Sequence, residues 1–421
     1  MECLSQTAEK DYNRWSGFLN IRFWKGDEME YRELGRTGLK VSVIAMGCEG
    51  FVEDNSNAKA FMDIAEESGV NYFDMFTSDP AARSAVGEAL KGRRNKFMIQ
   101  SHICSVWKDG QYVRTRDLEE TKAAFEDSLE RLQTDYIDVG MIHYCDAESD
   151  WEAIKANGII DYARKLKEEG RIRHIGLSSH NPKVAIKAIE EGDIEVLMFS
   201  VNYVYDMLPG TEDVNDLWAD SVYEGGFENM DPERQRLYEL CESKGVGITV
   251  MKAFAGGDIL DEKLSPAGAA LTPAQCISYA LSRPAVATVC SGARNVEQLK
   301  ESIDYCNASP EERDYAEAFA NFPRVSWSGH CMYCTHCDPC VSSINIADVT
   351  KFLNLVIAHN ESNGIKEGTE AFRVPDTERE HYRLLEHHAG ECVQCGLCEA
   401  RCPFGVEIRA NMRHAKEIFG Y

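Results

Sequence analysis

The feature that most constrains the fold of this chain is a regular alternation of short apolar segments with helical segments. Short apolar runs bounded by turn residues are typical of strands that are buried on both faces of a parallel sheet. The predicted strands are Val41–Gly47, Tyr72–Phe76, Phe97–His102, Tyr136–His143, Ile172–Ser178, Val196–Asn202, Gly247–Lys252 and Val286–Gly292. The predicted helices lie near 58–68, 82–91, 117–132, 152–169, 183–191, 233–244, 274–283 and 296–305.

Eight such units in about 260 residues match the usual size of a (β/α)8 TIM barrel, so we predict an α/β fold of this class. Helix boundaries agree with this prediction, because residues 272–275 (Thr-Pro-Ala-Gln) form a capping box and Gly170 and Gly245 stand where helices end. The alternative is a doubly wound open sheet. That fold needs a glycine-rich phosphate loop after its first strand, and the segment from Met46 to Gly50 does not provide one.

Two quartets of closely spaced cysteines lie near the C-terminus. The first comprises Cys331, Cys334, Cys337 and Cys340, and the second comprises Cys392, Cys395, Cys398 and Cys402, which precedes Pro403. The second quartet has the C-x2-C-x2-C-x3-C-P spacing that binds cubane iron–sulfur clusters. The predicted cofactors are therefore two [4Fe-4S] clusters, and two zinc ions in paired four-cysteine sites are the alternative.

The ligands of two clusters can be assigned from the crossed arrangement of two-cluster ferredoxins. In that arrangement Cys331, Cys334 and Cys337 share one cluster with Cys402, and Cys392, Cys395 and Cys398 share the other with Cys340. The first quartet departs from the usual pattern, because only two residues precede Cys340 and Val341 stands where a proline is expected. Helices predicted near 346–361, 377–388 and 407–419 indicate a small all-α ferredoxin-like domain around both quartets.

Net charge and cysteine usage limit the class of protein. The formal charge of −25 makes the surface repel phosphate backbones, so nucleic acid is not an expected partner. The sequence has no run of eighteen apolar residues and no signal peptide, so we expect no membrane span and no secretion. Eight of the sixteen cysteines are dispersed in the manner of buried free thiols, which favours a cytoplasmic location.

Three segments are predicted. Residues 1–30 form an N-terminal extension, residues 31–322 the barrel, and residues 323–421 the [4Fe-4S] domain. The extension is either an ordered arm or the result of a translation start assigned upstream of Met29. The barrel begins with a short hairpin over residues 31–41.

Four segments within residues 31–305 resemble the aldo/keto reductase family. They begin at Tyr31, Gly69, Leu132 and Gly170 and read YRELGRTGLKVS, GVNYFD, LQTDYID and GRIRHIGLS. The cysteine-rich tail resembles the ferredoxin-type extension of one bacterial branch of that family. The resemblance implies a TIM barrel that binds NADPH or NADH without a Rossmann fold and reduces carbonyl groups.

The resemblance also assigns the family's tetrad of aspartate, tyrosine, lysine and histidine by position. The aspartate is Asp74 and the histidine is His143, whereas the tyrosine position holds Asp79 and the lysine position holds His102. An ionised Asp79 would repel a developing alkoxide, and histidine titrates near neutral pH. We therefore expect His102 or His143 to supply the proton, with all four side chains converging at the carboxyl ends of the strands.

Cofactor contacts are implied at strands five, six, seven and eight. Ser178 and Ser179 occupy the family's Ser-Asn positions, while Met198 and Met251 replace its glutamine and its stacking aromatic residue. The strand-eight turn keeps the family pattern better, and the expected contacts there are Ser291, Gly292, Arg294, Gln298 and Glu301. Arg294 is the expected partner of a 2′-phosphate. The alternative for each of these positions is an ordinary capped barrel loop.

Several other polar residues near the predicted strand ends have two interpretations. His180 and Asn181 either contact substrate or belong to an ordinary loop, and Lys252 either pairs with a carboxylate or phosphate or is a solvated charge. Three tyrosines either supply the phenol that the tetrad lacks or pack in the wall of the pocket. They are Tyr144, Tyr203 and Tyr205.

The sequence as a whole predicts an iron–sulfur oxidoreductase. Its expected partners are a small carbonyl-like or unsaturated substrate and a ferredoxin or flavoprotein that exchanges electrons with the clusters. One alternative is a mononuclear metal site formed by the two histidines and the carboxylates. Another is a non-catalytic redox relay or sensor whose barrel binds a ligand without turnover.

Overall fold

The computed structural model describes residues 29–213, 216, 227–320, 322, 325–326 and 329–421, so residues 1–28 of the predicted extension lie outside the described residues. The strands in chain order are β1 (Tyr31–Glu33), β2 (Lys40–Ser42), β3 (Ile44–Met46), β4 (Tyr72–Met75), β5 (Met98–Ile103), β6 (Ser105–Lys108), β7 (Gln111–Arg114), β8 (Ile137–Ile142), β9 (Ile172–Ser179), β10 (Val196–Ser200), β11 (Phe227–Glu228), β12 (Gly247–Met251), β13 (Val286–Ser291) and β14 (Val325–Ser326).

Helices follow most of the strands. They are α1 (Glu49–Glu53), α2 (Asn57–Glu67), α3 (Pro80–Ala89), α4 (Leu118–Leu132), α5 (Glu148–Ala156), α6 (Ile159–Glu168), α7 (Pro182–Glu191), α8 (Pro232–Lys244), α9 (Pro273–Leu281), α10 (Val296–Ile303), α11 (Ala316–Ala320), α12 (Ile346–Ser362), α13 (Asp376–Arg383), α14 (Leu397–Arg401) and α15 (Ile408–Phe419). None of the helices in the described part of the chain is long and apolar enough to cross a bilayer.

Eight strands close into a parallel barrel, which confirms the predicted fold and excludes the open sheet. Around the barrel the order is β3, β4, β5, β8, β9, β10, β12 and β13, and β13 pairs with β3 to complete the ring. Nearly every residue of these strands is buried, because helices cover the outside and side chains fill the inside. The carboxyl ends of all eight strands therefore meet at one rim.

Two predicted elements differ from the structure, and one pair of strands was not predicted. The predicted first strand is shorter, because Lys40–Ser42 pairs with β1 in the hairpin and only Ile44–Met46 joins the barrel. The helix predicted over 152–169 is two helices, since Gly158 adopts a left-handed conformation with φ of 76° between them. The antiparallel pair of β6 and β7 was not predicted, and it extends from the carboxyl end of β5.

The hairpin of β1 and β2 covers the amino ends of the barrel strands. Arg32 Nη1 donates to the carbonyl oxygens of Leu281 and Val286 at 2.6 and 3.1 Å, and Arg36 N donates to Gly245 O at 2.8 Å. A side chain at Gly35 would meet the backbone nitrogen of Gly247 at 2.3 Å, so this close approach requires glycine. The barrel is thus closed at the end opposite the carboxyl rim.

The C-terminal segment packs against the outside of the barrel. Lys351 on α12 lies 3.2 Å from Glu242 near the end of α8, and the other oxygen of Glu242 accepts the N–H of Ala285 at 2.6 Å. Buried Arg283 donates to Met332 O at 2.6 Å, beside the first cysteine quartet. Because Arg283 and Ala285 directly precede β13, these contacts hold the segment near the amino ends of the strands.

The ion pair of Lys351 and Glu242 is expected to contribute to stability. Burial would lower the pKa of Lys351, but Glu242 and Asp348 raise it, so the amine stays charged at neutral pH. Lys351→Met should destabilise the protein by about 1 to 3 kcal/mol, because it leaves a largely buried carboxylate unpaired. Thermal unfolding checks this, and Lys351→Met combined with Glu242→Gln should recover part of the loss. The control is Lys122→Met, which removes an exposed pair and should cost less than about 0.5 kcal/mol.

Candidate active site and cysteine cavities

Asp74, His102 and His143 meet at the carboxyl rim of the barrel. His102 Nδ1 lies 2.7 Å from His143 Nδ1, and His102 Nε2 lies 3.0 Å from Asp74 Oδ1. Asp74 lies near the end of β4, His102 lies near the end of β5, and His143 directly follows β8, so three strands supply one hydrogen-bonded chain. All three residues are buried. The structure thus brings these three side chains together, as the sequence analysis predicted.

The proton positions in this chain follow from the contacts. Burial lowers the pKa of His143 well below its usual value, and the neighbouring His102 lowers it further, so His143 is neutral at pH 7. If His102 donates from Nε2 to Asp74, its Nδ1 accepts the proton of His143 Nδ1. The Nε2 of His143 then carries a lone pair. This nitrogen can accept a proton from a substrate hydroxyl, or donate one after the chain has been protonated.

A second polar side chain fixes the orientation of Asp74. Gln100 Nε2 donates to Asp74 Oδ1 at 2.7 Å and lies 3.2 Å from the sulfur of Met198. The amide oxygen of Gln100 accepts from the hydroxyls of Tyr72 and Thr249 at 2.8 and 3.0 Å. Met198, predicted at the position of a cofactor-binding glutamine, is therefore part of this interior network.

Asp79 does not join the other three residues, which corrects the predicted convergence. Its carboxylate accepts the N–H groups of Ala81 and Ala82 at 2.7 and 3.2 Å and caps the start of α3. An aspartate followed by Pro80 is a strong helix start, and the sequence alone contained that signal. The tyrosine position of the tetrad therefore has a structural role here.

Glu49 is a site residue that the sequence analysis missed. Its Oε2 atom is buried and has no hydrogen-bond partner in the described part of the chain. Side chains at Gly47 and Gly292 would both collide with or crowd this carboxyl group, so the two glycines make room for it between β3 and β13. Burial raises the pKa of Glu49 to about 7, and the charge of Asp74 contributes to the rise. Glu49 is thus a proton donor or acceptor at neutral pH.

A second chain of polar groups lies at the same rim. His180 Nδ1 is 2.9 Å from Asp146 Oδ2, and Lys252 Nζ is 2.9 Å from His180 Nε2. Ser179 Oγ donates to Asp146 at 3.0 Å. Burial lowers the pKa of Lys252 to about 8, although Asp146 opposes this effect. Lys252 and His180 therefore belong to a buried network with Asp146, a residue that the sequence analysis did not single out.

The tyrosines near the rim divide into two groups. Tyr203 and Tyr205 are buried, and Tyr203 hydrogen-bonds Ser265 at 2.9 Å, so packing is the better interpretation for both. The ring of Tyr144 lies 6.1 Å from that of His143, and Tyr112 on β7, which was not predicted, lies 6.0 Å from His143. Tyr112 and Tyr144 are the phenols that border the histidine pair.

The predicted cofactor residues fit the adenosine-phosphate half of a nicotinamide dinucleotide better than the nicotinamide half. Gly292, Arg294, Gln298 and Glu301 are exposed, and the guanidinium of Arg294 forms an exposed ion pair with Glu53 at 3.3 Å. Asn295 caps α10, whose amino end can receive phosphate. In contrast, Ser178 lies buried in β9, Ser179 is bound to Asp146, and Ser291 hydrogen-bonds Ser302 at 2.7 Å. Gln298 accepts the N–H of Arg294.

The eight cysteines line two cavities, each with three cysteines of one quartet and one of the other. The cavity that we call inner is lined by Cys331, Cys334, Cys337 and Cys402. The cavity that we call outer is lined by Cys392, Cys395, Cys398 and Cys340. Ile346 borders both cavities. The grouping is the one that the crossed arrangement predicts.

The cysteine side chains surround these spaces but are not close enough together to coordinate one shared metal ion. No three His, Cys, Asp or Glu side chains among the described residues form a group that would hold a single metal ion. The described cysteines form no disulfide, and those outside the quartets are mostly buried, as predicted for the dispersed cysteines.

The backbone turns in the same way around both cavities. The second and fourth residues after the first cysteine have positive φ in each quartet, namely Tyr333 and Thr335 in one and Gln394 and Gly396 in the other. Positive φ is unfavourable for residues other than glycine, and especially for β-branched threonine. Two segments of different sequence therefore share one unusual loop conformation, and such loops direct backbone N–H groups towards a bound anion.

Glu49 should make folding stability depend on pH. Its pKa is about 7 in the folded state and near 4.5 when exposed, so stability falls as pH rises between these values and the loss is complete above about pH 7. Glu49→Gln should remove this loss and raise stability by about 2 kcal/mol at pH 8 but not at pH 4. Urea unfolding at both pH values measures the difference. Exposed Glu262→Gln serves as the control, and an unchanged pH dependence in Glu49→Gln would contradict the assignment.

Comparison with known proteins agrees with this geometry. A family model described as "Aldo/keto reductase family" matches residues 45–270. The chain is 28% identical over 290 residues to the uncharacterized oxidoreductase YqkF of Bacillus subtilis, which covers 66% of this chain and 92% of YqkF. It is 27% identical over 309 residues to L-galactose dehydrogenase of Arabidopsis thaliana, which covers 66% of this chain and 88% of that enzyme.

A solved structure shows the same barrel. The holo form of aldo-keto reductase AKR11C1 from Bacillus halodurans superposes with a TM-score of 0.54 and 25% sequence identity, over 68% of this chain and 94% of that one. The matched family model covers more than half of the chain, and the eight parallel strands close into a barrel. The chain therefore belongs to the aldo/keto reductase family and is an oxidoreductase of that family.

Proposed function

We propose that this protein is an iron–sulfur oxidoreductase whose barrel reduces a small carbonyl-like or unsaturated substrate with NADPH or NADH and whose C-terminal segment carries two [4Fe-4S] clusters. The observation that carries the proposal is the pair of cysteine cavities with matching loop conformations. A single zinc ion needs four sulfurs within roughly 4 Å of one another, whereas a cubane spreads its ligands over four irons and fills a larger space. The free thiols of the described core suit a reducing compartment such as the cytoplasm.

The barrel residues suit proton transfer beside a hydride donor. A bound NADPH or NADH supplies the hydride. Gly292 and Arg294 are placed to hold the phosphates, with Arg294 leaving its exposed partner Glu53. The Nδ1 atom of His143 is connected through His102 to Asp74, which leaves Nε2 for the substrate, so a proton that leaves or reaches the substrate can be relayed along this chain. Glu49 is a second proton carrier beside the same rim.

A redox relay without turnover is the second candidate, and the position of the quartets favours it. The inner cavity faces α8 and the loop of Arg283, so the helix layer and the barrel wall separate it from the histidine pair. An α-helix with its side chains is about 10 Å across. Electrons must cross this layer if the clusters and the histidine pair act in one reaction. If the two sites act separately, the clusters exchange electrons with a partner outside the chain.

The cluster proposal predicts the iron content of protein prepared without oxygen. We expect about eight iron and eight acid-labile sulfide per chain, with the broad visible absorbance of cubane clusters. Cys395→Ala removes a ligand of the outer cavity and should lower iron towards about four, because the inner ligands remain. Cys276→Ala, which alters a buried cysteine outside the quartets, is the control. Protein that contains zinc and no sulfide would overturn the proposal.

The barrel proposal predicts a loss of turnover when the histidine pair is broken. His143→Ala should lower kcat for NADPH-dependent reduction, measured on a panel of aldehydes and ketones, by about 10²- to 10⁴-fold. The Kd for NADPH, from fluorescence titration, should change little, because His143 lies away from the predicted phosphate contacts. His414→Ala, a surface histidine paired with Glu367, is the control. Failure of the wild type to bind NADPH would favour the relay.

A further inference from the structure

We propose that an acidic ferredoxin-type electron carrier docks on the surface around the outer cavity and delivers its electron there. This inference rests on the proposed function, since it needs a cluster in the outer cavity. The surface, called here the outer face, consists of Val341, Val393 and Leu397 with Cys395 and the flanking residues Arg401, Arg409 and Arg413.

The two cavities differ in their access to solvent. Apolar residues around the inner cavity are buried, for example Met332, Phe404 and Val406, at 2%, 3% and 4% exposure. Around the outer cavity Val393 is 65% exposed, Val341 61% and Leu397 49%. Cys395 is the one exposed cysteine of the two quartets, so an electron carrier can approach the outer set of ligands closely.

The exposed apolar residues form one patch rather than isolated positions. All three border the same cavity, and each directly follows or precedes a cysteine of the outer set. Clustered apolar surface with a polar rim is typical of a protein-binding site, whereas single exposed apolar residues are ordinary. A small apolar contact beside a redox centre fits the short-lived complexes formed by electron-transfer proteins, which bury little surface.

The charge around the patch indicates the partner. The whole chain has 45 Lys and Arg against 70 Asp and Glu, yet residues 392–416 contain four Lys and Arg against two Glu. Arg409 pairs with Glu399, while Arg413 donates to the amide oxygen of Gln394 at 2.6 Å and Arg401 to Pro339 O at 2.8 Å. Arg401 and Arg413 are exposed and donate to neutral oxygens, and the carboxylates of Asp338 and Glu399 also lie near them. An acidic protein would be repelled by the rest of the surface and attracted here.

The electron transfer balances without any other reactant. The reduced carrier gives one electron to the cluster held by Cys392, Cys395, Cys398 and Cys340, so the carrier is oxidised and the cluster is reduced by one electron. The inner cavity shares Ile346 with the outer one, and it is the cavity that contacts the barrel, through Met332 and Arg283. The order of transfer is therefore carrier, outer cluster, inner cluster.

The experiment measures the reduction of the full-length, cluster-loaded protein by a pre-reduced plant-type [2Fe-2S] ferredoxin, mixed anaerobically and freeze-quenched for electron paramagnetic resonance. The wild type should be reduced in a second-order reaction that slows at least tenfold between about 0.05 and 0.5 M salt. Arg413→Glu should slow it at least tenfold at low salt, and Val393→Glu with Arg413→Glu should slow it further.

The matched control is Lys263→Glu with Leu264→Glu, which makes the same changes at an exposed cation and an exposed apolar residue on the barrel. It should be reduced at the wild-type rate. In each variant, the iron content and the reduction by dithionite must equal those of the wild type. If Val393→Glu loses iron, Arg413→Glu alone tests the inference. Reduction of Arg413→Glu at the wild-type rate, or no reduction of iron-loaded wild type by ferredoxin, overturns the docking inference. Absence of iron and sulfide instead overturns the proposed function.

Discussion

Closure of the parallel barrel is the constraint on which the rest of this structure depends. A ring of eight parallel strands places all carboxyl ends at one rim, so residues distant in sequence become neighbours. Asp74, His102 and His143 form one hydrogen-bonded chain for this reason, and Asp146, His180 and Lys252 form another. The strand ends supply most of these residues, and the loop after β8, in which Tyr144 has a φ of 48°, brings Asp146 to His180.

Burial at the rim changes the proton affinity of individual side chains in opposite directions. Asp79 caps α3, and His102 lies between Asp74 and His143 in one hydrogen-bonded chain. Buried His143 stays neutral at pH 7, whereas Glu49 has a pKa of about 7 in the space left by Gly47 and Gly292. Burial thus shifts the two pKa values in opposite directions, so Glu49 titrates near neutral pH whereas His143 does not.

The cysteine-bearing segment lies at a different part of the barrel from this rim. Arg283 and the pair of Lys351 and Glu242 attach it near the amino ends of β12 and β13. Packed aromatic rings fill the space between the first quartet and the rim: Tyr315 lies 5.4 Å from Tyr279, Tyr279 lies 5.7 Å from Phe319, and Phe319 lies 5.1 Å from Tyr203, which follows β10. The two centres are separated by protein rather than by solvent. Any coupling between them acts through this layer.

The sequence by itself determined the barrel, the family and the grouping of cysteines, because apolar periodicity and ligand spacing are local properties of the chain. It also contained the signal for Asp79, since aspartate before proline favours a helix start. Only the tertiary structure decided that Glu49 is buried beside the rim, that Asp146 joins His180 and Lys252, and which cavity faces solvent. Burial and the resulting pKa shifts depend on neighbours from distant strands, and no single stretch of sequence specifies these neighbours.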